Sequence, residues 1–397
     1  MVNTKHDVAS YENCDYPREI FDMNVLYDAY IKSKKGSDWK ASVHKFEMNF
    51  LNELSGIHKE LKSQNFTFKP HSKFILNERG KTRVITGEQM HDRVAKSALA
   101  EEAMLPAIRK YLAYDNGASL KGKGISFSRN RLETHLRKYY TKHGTNDGYI
   151  LLMDFSKYFD NLQHDYFKSV FDGLLSENAM WFLGEVMKQS EVDVSYMGAD
   201  EYENCMAVVF NSLNYETLDK TLLTGDKYMK KHMNIGDTIA QIAGISYPTA
   251  FDNYIKIVKG IKFFGRYMDD SYIIHESKEY LVELLDELVK AAEKIGLTIN
   301  LRKTCVCKLS SLWRFLQIQY SLTDTGRVVK KIHPKRLTTM RRKLKKLVGI
   351  LDANEFENYY RSWFRNHYKT MSKNQRASMD ALFNKLRKGD FNENGFS

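Results

Sequence analysis

Two short apolar runs that meet acidic residues constrain this chain more than any other feature. Tyr149-Ile150-Leu151-Leu152-Met153 is followed at once by Asp154, and the stretch from Phe263 reads FFGRYMDDSYII, with Asp269 and Asp270 adjacent inside it. A short unbroken apolar run reads as a buried strand. The second stretch divides around Tyr267-Met268-Asp269-Asp270 into strand, turn and strand. Adjacent carboxylates in low dielectric cannot all stay ionised without a counter-charge. Divalent metal resolves that cost, and two magnesium ions roughly 3.5–4 Å apart on shared carboxylates are the apparatus of in-line nucleotidyl transfer. Nucleotide polymerisation is therefore the favoured chemistry, and an exposed turn with two solvated acids is the alternative for Asp269-Asp270 taken alone.

The chain has 397 residues, 43% of them hydrophobic and 28% charged. That is room for about two to three domains, and the composition falls in the globular range, where low hydrophobicity gives no argument for wholesale disorder. Lys and Arg number 61 against 49 Asp and Glu, a net charge of +12. The excess favours a polyanionic partner, with nucleic acid ahead of an anionic membrane. No apolar run approaches the roughly 20 residues of a spanning helix, and the N-terminus has no apolar signal core. A cytoplasmic protein without a membrane partner is expected. Cys14, Cys205, Cys305 and Cys307 follow no zinc spacing and suit reduced thiols. Cys305 and Cys307 fall on a predicted strand, where packing as small hydrophobes is expected. His58, His91 and His135 show no ligand spacing.

Periodicity places the remaining elements. Phe46, Phe50, Leu54, Ile57 and Leu61 predict one amphipathic helix with Ser37 or Asp38 near its start. Lys73–Leu76 and Thr82–Ile85 predict a hairpin with a basic tip at Asn77-Glu78-Arg79-Gly80. Helical spacing returns over Met90–Leu112, again through Leu132 and Leu136, over Ile239–Ile257, and from Leu281 to Ile295, where Gly296 is the natural stop. Residues 191–233 lose the pattern and read as an insertion. Beyond Gly326 the chain is basic and helical.

The chain resembles a reverse transcriptase, with that family's motifs in the family's order. Asp154-Phe155-Ser156-Lys157-Tyr158-Phe159 matches the first palm motif, Ile235-Gly236 through Gln241 the second, and Tyr267-Met268-Asp269-Asp270 the third. The resemblance implies an α+β right hand: a helical extension (1–65), fingers (66–148), a palm with an antiparallel sheet (149–326, with the 191–233 insertion and a fingers/palm helix at 234–258), and a helical thumb (327–397). It implies RNA-directed DNA polymerase activity with two Mg2+ ions, Mn2+ serving as a substitute. Asp154, Asp269, the Phe155 carbonyl and, more weakly, Asp270 would be metal ligands.

Other roles follow from the same matches. Phe159 falls where the family places an aromatic gate against the ribose 2′-hydroxyl, with ordinary core as the alternative. Lys81 and Arg83 match the bases that hold the incoming triphosphate, a charge-assisted pairing, and the nearby Asp92-Arg93-Val94 also fits. Lys303 matches a lysine proposed to protonate pyrophosphate, or is a surface lysine. Lys121 and Lys123 lie in a Gly-Lys loop expected near template or triphosphate. Trp313-Arg314-Phe315-Leu316 resembles the primer grip, with Phe315 at the nucleic acid and Gln317 replacing the common glycine. Lys335, Arg336, Arg341, Arg342 and Lys345, with Tyr360 and Trp363 interleaved, resemble a thumb that tracks a duplex backbone.

Many bacterial relatives have Gln-Gly in the second motif, whereas this chain has Ile235-Gly236. That substitution resembles the diversity-generating retroelement and antiphage-defence enzymes and predicts weaker base selection. The expected partners are dNTPs, a DNA primer and product, and an RNA template, a structured non-coding RNA in a prokaryotic or phage element. An accessory protein or a second copy is expected at the N-terminal extension and the insertion. No maturase, endonuclease, integrase or RNase H region is recognisable. A template-independent or protein-primed polymerase and a non-catalytic RNA-binding relative remain alternatives.

Overall fold

The computed structural model describes residues 20–388 apart from 79, 80, 220 and 222, so Cys14 and the Arg79-Gly80 hairpin tip lie outside the described residues. In chain order the described strands are β1 (Ser72–Glu78), β2 (Lys81–Gly87), β3 (Tyr149–Asp154), β4 (Val192–Asp193), β5 (Tyr228–Met229), β6 (Phe264–Tyr267), β7 (Asp270–His275), β8 (Cys305–Lys308), β9 (Trp313–Phe315), β10 (Ile318–Leu322) and β11 (Val328–Ile332). With the helices between them they make a mixed helix and sheet fold that fits the α+β expectation. The described residues form two compact units, one within 1–121, 154–261 and 286–300, the other within 122–153, 262–285 and 301–397. Among the described residues no helix is long and apolar enough to cross a membrane.

The first unit corrects two helix expectations. The predicted single helix is two, Ala41–Met48 and Phe50–Lys62, parted at Asn49 (φ −127°), and it begins at Ala41 rather than at Ser37 or Asp38. Asn competes for local hydrogen bonds, and the Asn49 side chain accepts from Asn52 at 2.8 Å. The break turns Phe50 onto Tyr30, ring centroids 4.7 Å apart, while Phe46, Leu54, Ile57 and Leu61 stay buried. The Met90–Leu112 stretch is likewise not one α-helix. Met90–Ala98 widens into a π-helical segment, Leu99–Met104, before Leu105–Arg109. Pro106, with no N–H to give to the preceding turn, sits where the wide segment ends. Pro248 similarly parts Thr238–Ser246 from Thr249–Asn253. The 191–233 stretch has its own small core of Val192, Val194, Met197, Phe210 and Met229, with β4 and β5 paired antiparallel.

In the second unit one sheet has the order β6-β7-β3-β8. The helix Ile125–His143 packs Leu132, Leu136 and Tyr139 into the same core as Ile150, Leu152, Tyr272 and Ile274. Because β8 is an edge strand, only Cys307 packs against that core; Cys305 is exposed, contrary to expectation. A second sheet, β11-β10-β9, leads into the helices Pro334–Leu347, Ala353–His367 and Lys373–Arg387. Tyr360 is buried among them and donates to Asp380 at 2.7 Å, so it is core rather than a nucleic-acid contact.

The β9–β10 connection answers the question raised by Gln317. Phe315 pairs with Ile318, leaving a two-residue turn with Leu316 at φ +43° and Gln317 at φ +73°. Positive φ at both central residues is the hairpin turn that suits strand twist, and it normally selects glycine or asparagine. Arg129 Nη2 holds it by donating to the Leu316 carbonyl at 2.6 Å. A left-handed non-glycine residue costs roughly 1–2 kcal/mol, partly offset by the extra unfolded-state freedom of glycine. Gln317→Gly is expected to stabilise the protein by up to about 1 kcal/mol. Urea unfolding checks this, and a lowered midpoint would contradict the turn assignment.

Candidate active site

Asp154 closes β3 and is the first residue of its stretch of the first unit. Its carbonyl accepts the Asn300 N–H at 2.7 Å, and the Ser156 N–H reaches Thr298 O at 2.8 Å. Phe155 therefore faces Ile299 in a bridge that does not use the Phe155 carbonyl. The chain then passes Lys157, at φ +45°, into the 3-10 turn Tyr158–Asn161. Phe159 on this turn is half-buried, and its carbonyl accepts the Met233 N–H at 2.8 Å.

The second motif is fastened to the first hairpin. The Thr86 hydroxyl donates to Asn234 Oδ1 at 3.1 Å and the Thr86 N–H to Ile235 O at 3.3 Å. Gly236 has φ +111°, and a Cβ there would stand 3.3 Å from the Thr86 carbonyl, so both conformation and space call for glycine. The strand that carries exposed Lys81 and half-buried Arg83 is thus bonded to the loop that carries half-buried Ile235. Asp237 caps the helix Thr238–Ser246 by accepting the Ile239 N–H at 2.7 Å, and Gln241 is exposed on that helix.

Sequence reading missed the residue beneath this loop. Lys96 is fully buried; Nζ donates to Asp237 at 2.7 Å, to Gln189 at 2.8 Å and to Glu88, and stands 5.4 Å from the Phe68 ring centroid. Burial opposes the charge on Lys96, but the carboxylates of Asp237 and Glu88 outweigh it and raise its pKa. Glu88 is pushed up to about 7, first by burial and then by the charge of Asp237, against the pull of Lys96. Glu88 therefore takes up a proton on folding, and its contribution to stability falls as pH rises from the ordinary carboxylate range to about 7. A lysine on a mostly polar helix gives no sign of this in sequence.

Asp92 is buried scaffold, and Arg93 beside it is half-buried. Asp92 accepts the Lys69 N–H at 3.1 and 3.2 Å and bonds His71 and His91, each at 2.9 Å. Burial alone would raise its pKa, but His71, His91 and the Lys69 N–H hold it below the usual carboxylate range. Arg93 reaches the Ser33 carbonyl at 2.5 Å.

In the second unit the third motif is a two-residue hairpin, Tyr267 pairing with Asp270 across Met268 and Asp269. Met268 has φ +55° without being glycine, a conformation that surroundings must enforce. Arg266, only 1% exposed, lies under the turn and donates from Nη1 to the Met268 carbonyl at 3.1 Å. At Gly265 a Cβ would stand 2.7 Å from the Tyr272 ring, whose hydroxyl bonds His135 Nδ1 at 2.9 Å. Asp269 and Asp270 are half-buried.

The remaining predicted contacts divide by exposure. Lys121 and Lys303 are exposed, and Lys123 is half-buried with Nζ 5.1 Å from the Phe127 ring centroid. Phe315 is a correction: it is 3% exposed and packs edge-on against Tyr272, so nucleic acid cannot reach it, and the exposed neighbour is Arg314. On Pro334–Leu347 the residues Leu337, Met340 and Leu344 turn inward. Lys335, Arg342 and Lys345 are exposed there, and Arg336 and Arg341 half-buried, with Arg341 donating to Ser378 at 3.1 Å.

Among the described residues no three His, Cys, Asp or Glu side chains are grouped to hold a metal ion by themselves. Magnesium does not require such a cage, because it is held by one or two carboxylates with water and substrate phosphates completing the shell. The half-buried carboxylates of Asp154, Asp269 and Asp270, and the Phe155 carbonyl that its bridge leaves unused, are oxygen donors of the kind such an ion takes. An all-oxygen set suits Mg2+ or Mn2+.

Residues 203–320 match the family model described as reverse transcriptase (RNA-dependent DNA polymerase). The match takes in the second and third motifs and begins after Asp154, Phe159 and the first hairpin. None of the curated proteins compared matches the chain. The matched domain indicates an RNA-directed DNA polymerase, a nucleotidyltransferase that works on an RNA template, DNA and nucleotides, and such domains use divalent metal ions.

Lys96→Met should leave Glu88 and Asp237 buried without their cation. Removing one partner of a buried ion pair typically costs about 3–5 kcal/mol. A loss of that size is expected in urea unfolding at neutral pH, and an unchanged midpoint would show that the network does not hold the second motif.

Proposed function

We propose that this enzyme copies a dedicated structured RNA into DNA, as part of an antiphage defence system or similar prokaryotic element, at a site made by Asp154, Asp269 and Asp270. What carries the proposal is the placement of Asp269 and Asp270 at the tip of a two-residue hairpin within the matched domain. Its strand β7 lies next to β3, which ends in Asp154. In this reading β1 and β2 belong to the fingers, the β6-β7-β3-β8 sheet is the palm, and the three C-terminal helices are the thumb.

Asp154 and Asp269, with the Phe155 carbonyl, would hold the metal ions, and Asp270 would support them. Divalent ions, when bound, supply the charge neutralisation and Lewis acidity of two-metal nucleotidyl transfer. Lys81 and Arg83 hold the triphosphate oxygens by charge-assisted hydrogen bonds. Phe159 leaves no room for a 2′-hydroxyl. Lys303 gives a proton to the departing pyrophosphate. Gly236 lets the second-motif backbone lie close to β2, and Ile235 and Gln241 border the nascent pair. Lys121, Lys123, Arg314 and the basic face of Pro334–Leu347 track the nucleic-acid backbone. Ile235 supports a second reading, a mutagenic enzyme of a diversity-generating retroelement, because an aliphatic side chain offers the pair no hydrogen bond.

Changing Asp269 and Asp270 together to Ala is expected to abolish deoxynucleotide incorporation in primer extension on RNA. RNA affinity should stay within about twofold, since basic surface supplies it. Residual synthesis by that variant, or synthesis by the native enzyme that ignores the template, would contradict the proposal. Phe159→Val should admit ribonucleotides into the extended product, and unchanged sugar selectivity would remove the gate assignment.

A further inference from the structure

Residues 210–216 tie together three parts of the first unit that bear on the incoming nucleotide, although they lie outside every polymerase motif. The first tie runs to the turn that carries Phe159. Asn161, the buried last residue of that turn, donates from Nδ2 to the Phe210 carbonyl at 3.1 Å and accepts the Phe210 N–H on Oδ1 at 2.8 Å. Ser212 adds a hydrogen bond to Asp160 Oδ1 at 3.1 Å. The second tie runs to the hairpin. Glu216, its side chain 4% exposed, accepts from Lys73 at 2.9 Å, and Lys73 pairs across the hairpin with Thr86. Thr86 is the residue that holds Asn234 and Ile235.

The same stretch of chain then returns along the Phe159 turn into the second motif. The Met233 N–H reaches Phe159 O at 2.8 Å, the His232 N–H reaches Leu162 O at 3.2 Å, and the His164 N–H reaches Lys230 O at 3.1 Å. His232 does this at φ +132°, with its ring Nδ1 2.9 Å from Ser190 O. Phe210 is fully buried and stacks on Tyr215, centroids 5.2 Å apart. A buried backbone amide and carbonyl must stay paired, so the Phe159 turn cannot move relative to Phe210 without breaking both bonds.

We propose that residues 210–216 are a strut that sets sugar selectivity from outside the motifs, fixing the depth of Phe159 through Asn161 and the hairpin base through Glu216. The proposal rests on the polymerase reading of the site and deepens it. Asn161 and Ser212 are positioning residues, because they act through Phe159 rather than on substrate.

Asn161→Leu keeps the side-chain size and removes both bonds together with the one Asn161 Nδ2 donates within the turn to the Lys157 carbonyl at 2.9 Å, so Ser212→Ala, which leaves that bond in place, is its companion. With dCTP and CTP competing in primer extension on RNA, the kcat/KM ratio of dCTP to CTP is expected to fall about tenfold, the order that a displaced wall costs. The fall should appear chiefly as a lower KM for CTP, as a receding wall admits the 2′-hydroxyl, with kcat changed less. Ser212→Ala should lower the ratio by about two- to threefold, and it decides the matter if Asn161→Leu does not fold. Tyr202→Phe, which loses only a bond to the Tyr228 carbonyl at 3.2 Å in the same segment, should match the native ratio. An unchanged ratio in the first two variants, or a loss confined to kcat, overturns the strut. Native protein inert on every template would defeat the polymerase reading instead. Thermal stabilisation by dCTP against CTP would then read the strut directly, and a preference retained in Asn161→Leu would overturn it.

Discussion

Adjacent carboxylates at the tip of a tight turn repel one another, and the fold around them must hold that turn. Here the chain places Asp269 and Asp270 on a two-residue hairpin whose Met268 is forced into left-handed backbone. Arg266, buried under the turn, bonds the Met268 carbonyl. Gly265 lets Tyr272 close in beside it, and His135 fixes the Tyr272 hydroxyl. A guanidinium is costly to bury unless its donors are used. Its presence there fits a turn whose position matters more than its stability.

The first unit solves a related problem with a different network. Lys96 gathers Glu88, Gln189 and Asp237, joining the end of the first hairpin to the cap of the second-motif helix. Asp92 gathers His71, His91 and the Lys69 N–H one turn earlier on the same helix. In low dielectric such networks hold firmly when complete and fail badly when broken. Lys81, Arg83 and Ile235, proposed to face the nucleotide, are therefore carried on elements that share one polar interior, and the Asn161–Phe210 pair ties the turn of Phe159 to the neighbouring segment.

Local signals carried much of this in the sequence. The apolar run before Asp154, the two runs around Asp269-Asp270 and the spacing of Leu132 and Leu136 each report a strand or helix within a few residues of one another. What was hidden depends on distant partners. Lys96 meets Asp237 across 141 residues and Asn161 meets Phe210 across 49, and neither pair leaves a periodic trace. Phe315 looked like a contact because its motif resembles the primer grip, yet alternation along β9 turns Phe315 inward and Arg314 outward. Cys305 looked packed until β8 proved to be an edge. The breaks at Asn49 and Pro248 were marked by residues that weaken helices, but apolar periodicity carried across both and masked them.

The central claim is that Asp154 and Asp269, far apart in sequence, serve one metal site. Mn2+ affinity, measured by electron paramagnetic resonance with a non-hydrolysable deoxynucleotide present, tests it on the native enzyme, Asp154→Asn, Asp269→Asn and the double variant. A shared ion predicts a loss of about tenfold or more in each single variant and little further loss in the double, because the second change removes a ligand from a site already emptied. Losses that simply add, or native affinity in either single variant, would contradict the account.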